Sequence, residues 1–125
     1  MTVVSAVQFY QHRHYQLSIV AGPGVTRVTD LGKYGAGLKG TMADTKVFFL
    51  EGKEPGGKAL LMANTHANEP DGILAALIFI ENAVLEKGTL LIIPQFDHSA
   101  SRNTRPGDGY PFFYEIPTAW GTKKF

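Results

Sequence analysis

The segment Asn64-Thr65-His66-Ala67-Asn68-Glu69-Pro70-Asp71-Gly72 sets an imidazole and a carboxylate three residues apart. At a strand-to-helix turn that spacing lets both side chains converge on one point. Imidazole and carboxylate are donor types that hold zinc, which needs at least a third protein ligand. The chain has no cysteine, so a metal would be held by His, Asp or Glu, a donor set that suits zinc or a similar borderline cation. Taken alone, H-x-x-E is a short motif. Glu69 equally suits the positive amino end of a helix, and spacing leaves both readings open.

The elements that must position this pair are legible around it. Lys58-Ala59-Leu60-Leu61-Met62-Ala63 is a short apolar run, expected to be a strand covered on both faces. From Pro70 to Leu85 apolar residues fall at Ile73, Leu74, Leu77, Ile78, Ile80, Val84 and Leu85, which is helical spacing. Pro70 suits the first turn. Gly88 suits a left-handed helix stop, with Lys87 near the negative end of the dipole. Leu90-Leu91-Ile92-Ile93-Pro94 is a second apolar strand. Strand, helix and strand with short joints predict a βαβ unit with parallel strands. His66 and Glu69 then lie at the carboxyl end of its first strand, where open α/β sheets place their sites.

The residues before this unit predict strands. Tyr15–Val20 and Val25–Asp30 flank Ala21-Gly22-Pro23-Gly24 and are expected to form a hairpin. Lys46–Leu50 is a third candidate, closed by a turn at Glu54-Pro55-Gly56-Gly57. Gly35-Ala36-Gly37-Leu38-Lys39-Gly40 matches G-x-G-x-x-G, but nothing helical follows it, so a loop is expected and not a dinucleotide site. His12 and His14 would share a face on a strand, yet no apolar strand pattern surrounds them. The tail from Gln95 has no clear period. Its Phe112, Phe113, Tyr114 and Trp120 are expected to pack against the core.

Composition narrows the class. At 125 residues and 44% hydrophobic the chain is long enough for one buried core. A net charge of +1 gives no electrostatic reason to expect nucleic acid or a membrane surface as partner. The longest apolar stretch, Ile73 to Ile80, is far too short to cross a bilayer. The start lacks a basic, then apolar, leader, so the default compartment is the cytoplasm.

Leu61 to Gly72, with Asn68 between the two candidate ligands, resembles the H-G-N-E segment of the succinylglutamate desuccinylase/aspartoacylase family, relatives of the zinc carboxypeptidases. The helix and the strand ending Ile92-Ile93-Pro94 continue the likeness, which spans about residues 58–105. Ala67 stands where the family has glycine. The resemblance implies zinc at His66 and Glu69, and downstream arginines that grip a substrate carboxylate and polarise the scissile carbonyl. Arg105 and then Arg102 fall in that place, although a surface role is equally open to them. It also implies a third ligand and a general base beyond Phe125. His98 follows the second strand, where the family has no ligand, and the family's D-L-N-R-like element is not found here.

The expected fold class is α/β. A β-rich amino-terminal segment, residues 1–57, precedes residues 58–125, the first part of a zinc-hydrolase domain. That part is a βαβ unit of a carboxypeptidase-like mixed sheet, incomplete at the carboxyl end. The expected activity, for the protein these residues represent, is zinc-dependent hydrolysis of an amide or ester bond in small N-acyl amino acids or related acyl conjugates. The expected partner is a small acyl substrate, with homo-oligomers left open. The alternative is a non-catalytic truncated product, or a binding module retaining half of the fold.

Overall fold

A computed structural model describes residues 2–66, 70–98 and 115–124. Helix α1 (Thr2–His14) is followed by strand β1 (Val25–Asp30), two short 3-10 turns, and strands β2 (Lys46–Glu51) and β3 (Glu54–Met62). Helix α2 (Pro70–Asn82), strand β4 (Lys87–Ile93) and the strands β5 (Glu115–Thr118) and β6 (Gly121–Lys124) complete the order. The main sheet runs β1-β2-β4-β3 and is mixed: β3 and β4 are parallel, the other pairs antiparallel. β5 and β6 form a separate antiparallel pair.

The strand-helix-strand unit is as its apolar spacing predicts. α2 buries Ile73, Ala76, Leu77 and Ile80, the i, i+3, i+4, i+7 face of a 3.6-residue period. It packs on the sheet face that carries Phe48, Leu50 and Ile92. The opposite face buries Val47, Phe49 and Ile93, and the Arg27 guanidinium lies 3.8 Å over the Phe49 ring. The doubly covered strand is therefore the central β2, whose Val47–Leu50 are all buried.

Several expectations are corrected by the topology. β3 is not covered on both faces: it is the sheet edge, with Leu60 and Met62 about half exposed. It also begins at Glu54, so Pro55-Gly56-Gly57 is strand and not turn, with its pairing to β4 irregular between Glu54 and Lys58. Gly88 does not end the helix. It sits inside β4 at φ +82°, where an added Cβ would fall 2.5 Å from the Gly57 carbonyl oxygen. Glycine there lets β3 and β4 approach across the irregularity.

The turn expected at Gly22-Pro23-Gly24 is present, closed by the Val25 N–H to the Gly22 carbonyl at 3.1 Å, but the hairpin does not form, because residues 15–20 are not a strand and the turn lies against the carboxyl end of α2. The Gly22 N–H donates to the Ile80 carbonyl at 3.2 Å, satisfying one of the carbonyls a helix end leaves open. A Cβ on Gly22 would lie 2.1 Å from the Glu81 carbonyl oxygen. β1 pairs with β2 instead.

The segment 1–57 carries β1, β2 and the start of β3, but it opens with a helix that the sequence pattern did not suggest. A two-residue spacing turns about 200° around a helix, so the H-x-H positions no longer share a face. His14 instead stacks on Tyr10, centroids 4.0 Å apart, and its Nδ1 bonds the Tyr10 carbonyl at 2.8 Å. The glycine-rich stretch is a loop leading into β2, as expected, and it is clasped: the Asp44 carboxylate accepts the N–H groups of Gly32 (2.6 Å) and Gly40 (2.9 Å).

Candidate functional site at the carboxyl ends of the parallel strands

Because β3 and β4 are parallel, their carboxyl ends open on the same side of the sheet. The chain leaving β4 turns back across the end of β3. Ala63 N–H donates to the Ile93 carbonyl (2.9 Å), Phe96 N–H to the Ala63 carbonyl (2.9 Å), and Asp97 N–H to the Asn64 carbonyl (3.2 Å). These three bonds continue the ladder past the strand ends and hold residues 63–64 against 93–97.

Asn64 then changes the chain's direction. Its φ is +59°, a left-handed conformation that asparagine tolerates better than most non-glycine residues. The residue is buried, and among the described residues no acceptor meets its Nδ2. Orphaned buried donors and left-handed residues both concentrate at functional sites. Sequence reasoning missed Asn64, and only its place just before His66 could have drawn attention to it.

His66 lies two residues further on, exposed, in the bend between β3 and α2. This is the end of the sheet where the sequence pattern puts it. Glu69, the other expected ligand, lies outside the described residues, as do Arg102, Arg105, Phe112, Phe113 and Tyr114. Among the described residues no three His, Asp or Glu side chains gather around one point. The described part of the site therefore fits zinc only in part: it supplies His66 at a strand end and leaves the rest of the ligand set to residues not described.

His98 stands in the turn after β4 and lines a cavity of about 530 Å³. The cavity lies on the α2-bearing side of the sheet, between β1, β2 and residues 16–21. Its wall mixes Leu17, Ile19, Val28 and Phe48 with Gln16, Asp30, Asp44, Thr45, Lys46 and Gln95. Asp30 and Lys46 face each other across β1 and β2 and are paired at 2.5 Å. The N–H bonds from Gly40 and then Gly32 hold the Asp44 carboxyl below the usual carboxylate range. His66 is not part of the cavity wall.

A second polar cluster is buried at the far end of α2. Glu81 and Lys123 form an ion pair with both side chains almost fully buried. Lys123 Nζ also donates to the Ser18 carbonyl at 3.2 Å. Trp120, in the turn between β5 and β6, donates from Nε1 to Asn82 Oδ1 at 3.1 Å. Burial pushes the Tyr15 hydroxyl pKa up, helped by the charge of Glu115 on β5. These contacts dock the hairpin on α2 and on residues 15–18. Trp120 joins the tail to α2 through this bond but is 44% exposed and not packed in the core as expected, and the hairpin itself was not anticipated. One signal was present: Glu81 falls on the buried stripe of α2, one residue past Ile80.

No helix among the described residues is long and apolar enough to cross a membrane. No family model, curated protein or solved structure matches this chain.

Proposed function

We propose that the chain is part of a zinc-dependent hydrolase of the desuccinylase/aspartoacylase type, acting on the amide or ester bond of small acyl conjugates. One observation supports this most: His66 lies just beyond the carboxyl end of a strand in a parallel βαβ pair, and α2 begins four residues later at Pro70. In this reading His66 and Glu69 hold the metal. Zinc, when bound, polarises the substrate carbonyl and lowers the pKa of a bound water. Arg105, with Arg102 behind it, would hold a substrate carboxylate or the developing oxyanion through paired N–H donors. Asn64 fixes the direction in which the His66 loop leaves the sheet. The fold assigned to this reading is the carboxypeptidase-like mixed sheet.

Calorimetric zinc titration of the chain tests the reading. The chain offers two ligands where catalytic zinc sites use about three, so binding is expected to be weak. It should be lost in both His66→Ala and Glu69→Gln. Zinc binding that survives both substitutions, or none at all in the parent, would overturn the assignment.

A further inference from the structure

We propose that the outer edge of β3 is a self-association surface, where a second copy of this chain adds its own β3 antiparallel about a two-fold axis at Leu60. The main sheet has two edges, β1 and β3. β1 carries Thr26, Arg27, Thr29 and Asp30, and charged side chains of this kind discourage pairing at an edge. β3 is guarded only in its first half. There Glu54, Pro55, Lys58 and an irregular register against β4 all oppose the docking of another strand. Ala59-Leu60-Leu61-Met62 has none of these devices and runs in unbroken register with β4. Leu60 is 55% exposed and Met62 48%. Among the described residues no strand lies beyond them.

The backbone on this side is open. The Ala63 N–H points inward, to the Ile93 carbonyl. That direction alternates along a strand, so Ala59 and Leu61 also turn their backbone groups to β4, and Lys58, Leu60 and Met62 turn theirs outward. An added strand must be apolar on both faces. Leu60 and Met62 share the face of their partners Leu91 and Ile93, while Leu61 lies with Ile92 on the α2 side. The apolar half of β3 itself meets that requirement.

Charge selects the register. An axis at Lys58 would set two lysines directly opposite each other, which is destabilising. An axis at Leu60 sets Leu60 against its counterpart and Lys58 against the second copy's Met62. It joins the whole unguarded run and sends the two lysines to opposite ends. Outward residues then face outward residues, giving about six interchain hydrogen bonds. Such a pair closes on itself as a dimer. The surface involves neither His66 nor a metal, so it stands or falls apart from the hydrolase reading.

The test is sedimentation velocity over a concentration series, with circular dichroism to check folding. So short a strand pair belongs with the small, weak interfaces, and a dissociation constant on the order of 10 μM is expected. Leu60→Lys places like charges at the axis and should weaken the dimer at least about tenfold. Leu60→Pro removes an N–H that points to solvent, so it should abolish the dimer and leave the β3–β4 ladder intact. The chain has no cysteine, so single cysteines report the register through a short bismaleimide linker. Leu60→Cys should cross-link efficiently. Glu54→Cys should not, because its two copies would lie roughly 40 Å apart.

A chain still monomeric about fiftyfold above that concentration would overturn the proposal. So would a dimer that both Leu60 substitutions leave unchanged, which would use another surface. Equal cross-linking at both cysteine positions would also refute it, since that is the mark of a parallel, open-ended stack.

Discussion

The Glu81–Lys123 pair gives the most demanding test of how this chain is held together. Both side chains are almost fully buried, and Lys123 comes from a strand 42 residues along the chain from Glu81. Lys123→Met keeps the length and apolar stem of the side chain but removes its charge. The Glu81 carboxylate is then left in the interior without a counter-charge, a change that typically costs about 3–5 kcal/mol. A chain of 125 residues has a total stability of about 6–19 kcal/mol. The loss is therefore a large share of what keeps the protein folded, and should lower the melting temperature by on the order of 10 °C.

One way to limit that loss is to release the β5–β6 hairpin and let water reach Glu81. Trp120 is the only tryptophan and sits in that hairpin's turn, bonded to Asn82, so its emission reports release directly. Urea unfolding followed by both circular dichroism and tryptophan emission separates the two responses. In the parent the two transitions should coincide. In Lys123→Met the emission change should come first. The double variant Glu81→Leu/Lys123→Met replaces the pair by apolar groups and should recover to within about 1–2 kcal/mol of the parent. A Lys123→Met protein within about 1 kcal/mol of the parent, with coincident transitions, would refute the reasoning, because no single substitution of a well-buried ion pair should be so mild. A double variant as unstable as the two singles combined would show that the site needs the charges themselves.

Two further outcomes follow from the backbone and from Asp44. Asn64→Gly should be more stable than Asn64→Ala by about 1 kcal/mol, because the backbone there is left-handed and only glycine is free of the Cβ clash; chemical denaturation that ranks alanine above glycine would refute this. The depressed Asp44 pKa makes a contribution that is complete above the unfolded-state value of about 3.9 and is lost as pH falls through the lower folded value. Acid unfolding of Asp44→Asn should lack that part of the pH dependence, and identical acid profiles would count against the Gly32–Gly40 clasp.

How much of this was legible in the sequence depends on where each signal is stored. The βαβ unit was readable because a 3.6-residue apolar period at Ile73, Leu77 and Ile80 lies between two uninterrupted apolar runs. Which of β3 and β4 lies at the edge was not readable, since Leu60-Leu61-Met62 and Leu90-Leu91-Ile92 look alike, yet of the two β4 alone is flanked by strands on both sides. Gly22-Pro23-Gly24 carries a strong turn signal, but its glycines answer a long-range demand, the carbonyls at the end of α2. The α1 helix was obscured by its valines, which favour strands by propensity. The β5–β6 pair is four residues per strand and is held by contacts to α2 and to Ser18 that no local pattern encodes.

The same division applies to the site. His66 could be placed from sequence because its position depends only on β3 ending and α2 beginning around it. His98 could not, because its position depends on a loop closing onto another strand. The backbone bonds from Phe96 and Asp97 to Ala63 and Asn64 carry the β4 turn over the end of β3. They also bring His98 to the wall of a cavity built mainly from β1, β2 and residues 16–21. Two regions of the chain that share no motif thereby lie toward the same end of the sheet: the bend that carries His66, and a cavity whose wall mixes apolar and polar side chains. Breaking the Asn64 turn should disturb the His66 loop while leaving the pocket floor, which rests on β1 and β2, in place.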